Sequence, residues 1–168
     1  MSTHPITEKL LSGTLVREPV GNEQGYWSGA PGWTWDETDQ AAYVCYRIRR
    51  PRGVEPDRGG ESRIAKTTDF KKFKDVWAVQ KSAYNSASIE KSTLKRGLDG
   101  RWRYFTSYVA PEDGRWCTTI NKADSVESLD PANTQRLFTA TDFDLEGVKD
   151  PWLIDVNGTY HLFLSVAI

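Results

Sequence analysis

The chain has 168 residues, a formal net charge of −1 at pH 7 and 12% aromatic residues. This length is enough for one domain with a substantial core. The balanced charge argues against nucleic acid or an anionic membrane as a partner, and no run of about 18 apolar residues could span a bilayer.

Three features of the sequence limit which cellular compartment and which cofactors are expected. They are the N-terminus, the cysteines and the histidines. The opening MSTHPITEKLLSGTLVREP lacks the basic start and apolar run of a secretory signal, which predicts a cytoplasmic protein. In that compartment Cys45 and Cys117 are expected to be buried free thiols. With only His4 and His161 present, neither a His-rich zinc site nor a cofactor is expected.

Short runs rich in aromatic and β-branched residues predict an all-β protein. Asp-Gly and Asn-Gly pairs between these runs favour tight hairpins, because both residues tolerate positive φ. A helical period is absent except for a single possible turn near Thr7 to Ser12. The predicted strands are 42–48, 101–109, 115–121, 151–156 and 159–166, and the turns are Asp99-Gly100, Asp113-Gly114 and Asn157-Gly158.

One unit repeats along the chain at a spacing of roughly 55–60 residues. Each unit has a strand with a distinctive first segment, a turn and a second strand, and the first two units continue into a third strand and a polar loop. The three first segments are Gly29-Ala30-Pro31-Gly32, Ser88-Ile89-Glu90 and Val148-Lys149-Asp150-Pro151. This order suits a four-stranded propeller blade. It predicts a lead-in at 1–26 and a partial propeller at 27–168, with blades at about 27–80, 81–140 and 141–168, the last one incomplete.

Three motifs resemble the five-bladed β-propeller glycosidases, meaning glycoside hydrolase family 43 and relatives such as family 130. They cover the chain from about Trp27 to its last residue. Lys149-Asp150-Pro151 with the later Tyr-His-Leu-Phe-Leu-Ser is similar to that group's Asp-Pro blade opening. Glu90 with the Trp-Arg-Tyr-Phe strand resembles a blade that carries a catalytic Glu. The third motif is Ala65-Lys-Thr-Thr-Asp69, which resembles the loops at blade ends.

The resemblance implies cleavage of a glycosidic bond by carboxyl groups at the blade openings. First residues of the inner strands converge at one end of a propeller tunnel, so acids there would meet. One carboxyl protonates the leaving oxygen, and another activates water or attacks carbon. We assign Glu90 as the general acid and Asp150 as the base, or as a modulator of Glu90. The open alternatives are that Glu90 caps its strand or pairs with Lys91 or Lys95, and that Asp150 forms an Asx turn.

Aromatic and basic residues near these carboxyls are candidates for substrate binding. Aromatic rings can stack on the apolar face of a sugar, and ordinary core packing is the alternative role for them. Packing is the expected role of Trp102 and Trp116. The substrate-binding candidates are Trp33, Trp35, Arg47, Lys149 and Trp152.

The segment 47–63 is rich in Arg, Pro and Gly and predicts a long hairpin loop. Its arginines could bind a carboxylate or a phosphate. Alternatively, they pair with Glu55, Asp57 and Glu61 on a solvated loop.

Two functional classes stay open. The first is a glycoside hydrolase that acts on an oligosaccharide or glycoside. The second is a non-catalytic propeller fragment that binds carbohydrate or self-associates, which the absence of an acid at Gly29–Gly32 favours. Because fewer than three blades are present, we expect exposed blade edges, self-association and weak hydrolysis by this chain alone.

Overall fold

The computed structural model describes residues 13–168 and confirms an all-β protein. The helical turn predicted near Thr7 to Ser12 lies outside the described residues. The first four strands are β1 (Trp27–Asp36), β2 (Ala41–Arg49), β3 (Glu61–Thr67) and β4 (Lys74–Gln80). The remaining strands are β5 (Ile89–Arg96), β6 (Trp102–Val109), β7 (Trp116–Ala123), β8 (Gln135–Thr139), β9 (Gly147–Val156) and β10 (Thr159–Ala167). Single 3-10 turns lie at Lys81–Tyr84, Pro131–Asn133 and Thr141–Phe143.

The strands form two sheets. Strands β1 to β4 pair in chain order as an antiparallel meander. Strands β5 to β8 form a second antiparallel meander. The hairpin of β9 and β10 joins this second sheet through one parallel pairing, between Trp116 of β7 and Gly147 of β9. Nearly all pairing is therefore between neighbours in the chain.

The predicted turns and strands agree closely with the structure. Gly100, Gly114 and Gly158 all have positive φ, and Asn157 shares this conformation with Gly158 in the two-residue turn between β9 and β10. Of the predicted strands, only 151–156 is much too short, because β9 begins at Gly147. The pairing of β9 is irregular next to Pro151, so the sequence pattern did not show that the strand starts before this proline.

The main core lies between the two sheets. Tyr43 of β2 meets the edge of Trp102 of β6, with ring centroids 4.6 Å apart. Beside them, the hydroxyl of Ser62 is 3.0 Å from that of Tyr104, so this buried polar pair is satisfied. Cys45 and Cys117 are buried and free, as predicted. The cluster comprises Ala41, Tyr43, Cys45, Ile64, Leu94, Trp102, Tyr104, Ala123, Val126 and Leu129.

The second sheet is covered on both faces. On the side away from the first sheet, Ser107 and Thr118 share a hydrogen bond, and Thr118 also donates to the carbonyl of Val148 in β9 at 3.0 Å. The order in space is therefore first sheet, second sheet, hairpin. This stacking brings the first strands of the three units, β1, β5 and β9, next to one another.

The hairpin leaves apolar side chains on the surface. Phe163 is 55% exposed, and Ile154, Val156 and Val166 are exposed as well. The sequence predicted such uncovered apolar residues in the 159–168 strand. No helix within residues 13–168 is long and apolar enough to cross a membrane.

Candidate functional site

The first strand of each unit carries a one-residue bulge, and the three bulges are spaced by 60 residues. In β1 the extra residue falls between the pairings of Gly29 and Gly32. In β5 it falls between Ile89 and Ser92, and in β9 between Lys149 and Trp152. Residues 30, 90 and 150 are the equivalent positions, and they are Ala30, Glu90 and Asp150.

The local sequence explains two of the bulges. Pro31 and Pro151 have no N–H to donate to the neighbouring strand, so regular pairing stops at each of them. The residue before each proline has the positive φ that the bulge needs: φ is 52° at Ala30 and 57° at Asp150. Bulges re-aim side chains and often lie beside functional sites. Here the bulges of β5 and β9 set the direction of the Glu90 and Asp150 side chains.

Arg47 joins the first sheet to Glu90. Its Nη1 donates a hydrogen bond to Glu90 Oε2, which makes an ion pair between β2 and β5. The Arg47 side chain is 10% exposed and that of Glu90 is 21% exposed. The sequence suggested Lys91 or Lys95 as partners for Glu90, whereas the partner is an arginine from the other sheet. A charge pair this sheltered from water is screened less than a surface pair.

The charges around Arg47 affect its pKa, and Asp150 is one of them. Burial lowers the pKa of Arg47, and the nearby cations Arg49 and Arg58 lower it further. Glu90 and Asp150 both act in the opposite direction, because each stabilises the charged guanidinium. Arg47 is thus hydrogen-bonded to Glu90, whereas Asp150 acts on it only through its charge, with no hydrogen bond or ion pair between the two among residues 13–168.

A cleft of about 350 Å³ opens beside this pair. Trp116, the first residue of β7, forms part of its wall, and the Lys149 ammonium lies 5.1 Å from the ring centroid of Trp116. Arginines and acids make the cleft strongly polar. Its lining residues are Arg47, Arg52, Asp57, Arg58, Gly59, Ala87, Ser88, Glu90 and Trp116.

The structure separates two of the predicted substrate-binding residues from this cleft. Trp33 and Trp35 both stack on Phe70, with ring centroids 5.7 and 5.9 Å apart. The residue between them, Thr34, donates to the carbonyl of Leu94 in the second sheet. Because side chains alternate along a strand, Trp33 and Trp35 face away from the second sheet and from Glu90.

Trp152 lies on the hairpin with its side chain partly exposed. The ammonium of Lys91, which neighbours Glu90, is 4.8 Å from the Trp152 ring centroid. Trp152 is therefore connected to the β5 bulge through Lys91. Of the five predicted substrate-binding residues, Arg47 lines the cleft, Lys149 reaches its wall, and Trp152 lies beside the bulge.

Sequence reasoning gave Trp116 no role in a site, and it covered Arg52 and Arg58 only as members of the Arg-rich segment. Trp116 was expected in the core, but it begins its strand and stays partly exposed at the cleft wall. Arg52 and Arg58 belong to the Arg-rich segment, whose middle is a loop as predicted, although Arg47 and Arg63 themselves lie in strands. The density of arginine in that loop was the one available signal. Within residues 13–168, no three His, Cys, Asp or Glu side chains are grouped to hold a metal ion.

Solved structures share this fold. A candidate glycoside hydrolase from Parabacteroides distasonis ATCC 8503 superposes with a TM-score of 0.54 at 16% identity, over 88% of this chain and 51% of that one. A glycosyl hydrolase from Bacteroides ovatus superposes with a TM-score of 0.55 at 15% identity, over 90% of this chain and 52% of that one. The chain thus spans about half the length of each. No protein-family model and no curated protein matches it.

Proposed function

We propose that this chain is a carbohydrate-active, glycoside hydrolase-like protein in which Glu90 and Asp150 carry out acid/base cleavage of a glycosidic bond. The observation that carries the proposal is the repeated bulge. It puts a carboxyl at the same position of two neighbouring first strands, and Arg47 is paired with the first of these carboxyls, that of Glu90. The fold shared with two structures described as glycoside hydrolases supports the same class.

In the proposed reaction, Glu90 protonates the leaving oxygen, and Asp150 activates water or modulates Glu90. Glu90 accepts a hydrogen bond from Arg47, which is the contact of a charged carboxylate. A neighbouring guanidinium favours the charged form of a carboxyl, so opening this contact would favour the protonated Glu90 that a general acid needs. Binding of the substrate is the event that would open it.

We also propose that the two sheets and the hairpin are successive blades of a propeller of the five-bladed glycosidase type. The proposed division is a lead-in at 1–26 and blades at about 27–80, 81–140 and 141–168. Support comes from the two four-stranded meanders, the stacking of sheet, sheet and hairpin, and the 60-residue spacing of the bulges. In this arrangement Glu90 and Asp150 line the axis of the propeller. A cytoplasmic location stays a prediction.

One observation favours a second candidate, a non-catalytic module that binds carbohydrate. The third equivalent position carries Ala30, so one of the three bulges contributes no carboxyl. The aromatic wall at Trp116 and the basic loop could hold a sugar without cleaving it. The two candidates differ in whether a bond is broken.

A panel of aryl glycosides together with a glycan-binding array decides between the two candidates. We expect the purified chain to release the aryl group from some glycosides, slowly but above the rate without protein. Binding to glycans without release would support the module instead. If the chain neither cleaves nor binds any carbohydrate, both proposals are wrong.

We further expect copies of the chain to associate through the exposed side of the hairpin. Phe163 and Val166 of β10 are each more than half exposed, and burying large apolar side chains contributes about 1.5–3 kcal/mol each. Light scattering should show a mass above 19.0 kDa at micromolar concentration. The variant Phe163→Ser should shift the population toward monomer. A wild-type protein that stays monomeric throughout this range would contradict the expectation.

A further inference from the structure

The cleft beside Glu90 contains more cations than anions. Three guanidinium groups line it, against the carboxylates of Asp57 and Glu90. One positive charge among the lining side chains is therefore uncompensated. A ligand group with a single negative charge would balance it, and the arginine fork suits a carboxylate in particular. The lining arginines are Arg47, Arg52 and Arg58.

The described contacts leave Arg52 and Arg58 free to meet a ligand. Asp57, the nearest acid in the loop, accepts hydrogen bonds from the backbone N–H groups of Gly53 and Arg58 instead. Among residues 13–168, neither Arg52 nor Arg58 has a carboxylate within ion-pair distance, whereas Arg47 and Arg50 do. Both side chains line the cleft with unpaired guanidinium groups.

A second, smaller recess of about 200 Å³ shares Arg52 and Arg58 with the cleft. Arg49 and Arg50 complete its basic lining, and no acidic residue is part of it. The basic surface thus continues from Glu90 over two adjoining recesses. Such a strip fits an extended anionic chain better than a single small anion.

Arg47 is a fixed part of this surface. Only 8% of the residue is exposed, and its Nε is buried with no hydrogen-bond partner among the described residues. A buried donor without a partner is costly. The guanidinium has five donors, and Glu90 accepts from only one of them.

We propose that this cleft binds an acidic oligosaccharide, with the carboxylate of one uronate unit held by Arg47 and Arg58. The inference deepens the proposed function of the same site and rests on it. Trp116 offers ring surface to the apolar face of the sugar. The ligand carboxylate competes with Glu90 for Arg47. Binding therefore releases Glu90 from its ion pair, which favours the protonated form that the proposed reaction needs.

This competition predicts opposite effects for two substitutions in one cleft. Glu90→Gln removes the internal competitor for Arg47, so the affinity for the acidic sugar should rise by about 3- to 10-fold. Arg58→Gln removes a cation and should lower that affinity by about 10- to 100-fold, the loss of one hydrogen bond between charged groups. Arg101→Gln is the matched control, because Arg101 precedes β6 at the other end of the second sheet and pairs with Asp124.

Titration calorimetry with tetragalacturonate tests the proposal, and its fully methyl-esterified form serves as the uncharged ligand of the same shape. We expect the wild type to bind the acid at least about tenfold more tightly than the ester, with R101Q unchanged. The proposal is overturned if the ester binds equally well or if E90Q weakens binding. It is also overturned if a single-stranded oligonucleotide binds as tightly as the sugar acid, which would indicate a non-specific basic surface. These readouts measure binding alone, so they stand whether or not the aryl glycosides are cleaved.

Discussion

Replacing Glu90 with Gln should lower the rate of glycoside cleavage by about 10²–10⁴-fold, the usual contribution of general acid–base catalysis. The substitution removes the ionisable group and keeps the size of the side chain. Glu90 lies at the β5 bulge with a side chain that is 21% exposed, so the change should leave the fold intact. The measurement is kcat on the aryl glycoside that the wild type cleaves fastest.

The leaving group distinguishes an acid from a base. If Glu90 donates the proton, E90Q should be nearly as active as the wild type on a dinitrophenyl glycoside, whose leaving oxygen needs no proton. On a poor leaving group the full loss should appear. Asp150→Asn should instead reduce the rates on both substrates, because attack by water does not depend on leaving-group acidity. The reverse pattern would exchange the two roles.

Lys91→Gln provides the control for these rates. Lys91 adjoins Glu90 in the same bulge, and its ammonium lies over the Trp152 ring. Its removal changes the local charge without touching either carboxyl, so kcat should change by less than about tenfold, the loss of one modest cation–π contact. A loss as large as that of E90Q would mean that charge or packing at the bulge controls the rate, and Glu90 would lose its assigned role.

Two measurements on one variant join the catalytic and the binding proposals. E90Q should cleave glycosides more slowly and bind an acidic oligosaccharide more tightly. A side chain that only supported the bulge would weaken both properties together. The ion pair with Arg47 is the reason for the difference, since Arg47 cannot serve Glu90 and a ligand carboxylate equally well.

The sequence predicted those features that depend on local order. Strand patterns, the turn at Asn157-Gly158 and the equivalence of Glu90 and Asp150 all follow from side-chain alternation, positive φ and repeat spacing. These preferences act within a few residues, or between copies of the same unit. The paired meanders therefore match the predicted all-β chain closely.

Contacts between sheets were not predictable in the same way. Arg47 and Glu90 are 43 residues apart, and no local pattern links them. Trp116 was expected in the core because it lies within a predicted strand. The sequence does not tell which end of that strand borders a cleft. Trp33 and Trp35 were placed near the blade openings by sequence distance, yet strand alternation turns them toward Phe70. Such contacts depend on how one sheet lies over the next.

The approach of the two sheets depends on a residue without a side chain. Gly32 of β1 is buried where β1 crosses β5. A Cβ atom at this position would overlap the backbone carbonyl oxygen of Ser92 and approach the Thr93 Cα to 3.4 Å. Neither neighbour is the flexible end of a side chain. Any larger residue must therefore push the sheets apart.

Gly32→Ala should destabilise the fold by about 3 kcal/mol, near the upper end of the usual cost of overpacking. Separating the sheets would also stretch the hydrogen bond from Thr34 to the Leu94 carbonyl and the 2.9 Å ion pair between Asp36 and Arg96. For a chain of this length the loss corresponds to a melting temperature roughly 6–12 °C lower. Denaturant unfolding and thermal melting both measure the change.

Gly29→Ala in the same strand is the matched control. A Cβ there would meet only ring atoms of Trp27, at 2.9 and 3.1 Å, and this partly exposed ring can move. Because replacing Gly with Ala also lowers the entropy of the unfolded chain, the stability should change by less than about 1 kcal/mol. Equal losses for the two variants would mean that β1 is sensitive to any Cβ. The close approach of Gly32 to Ser92 would then not be what sets the distance between β1 and β5.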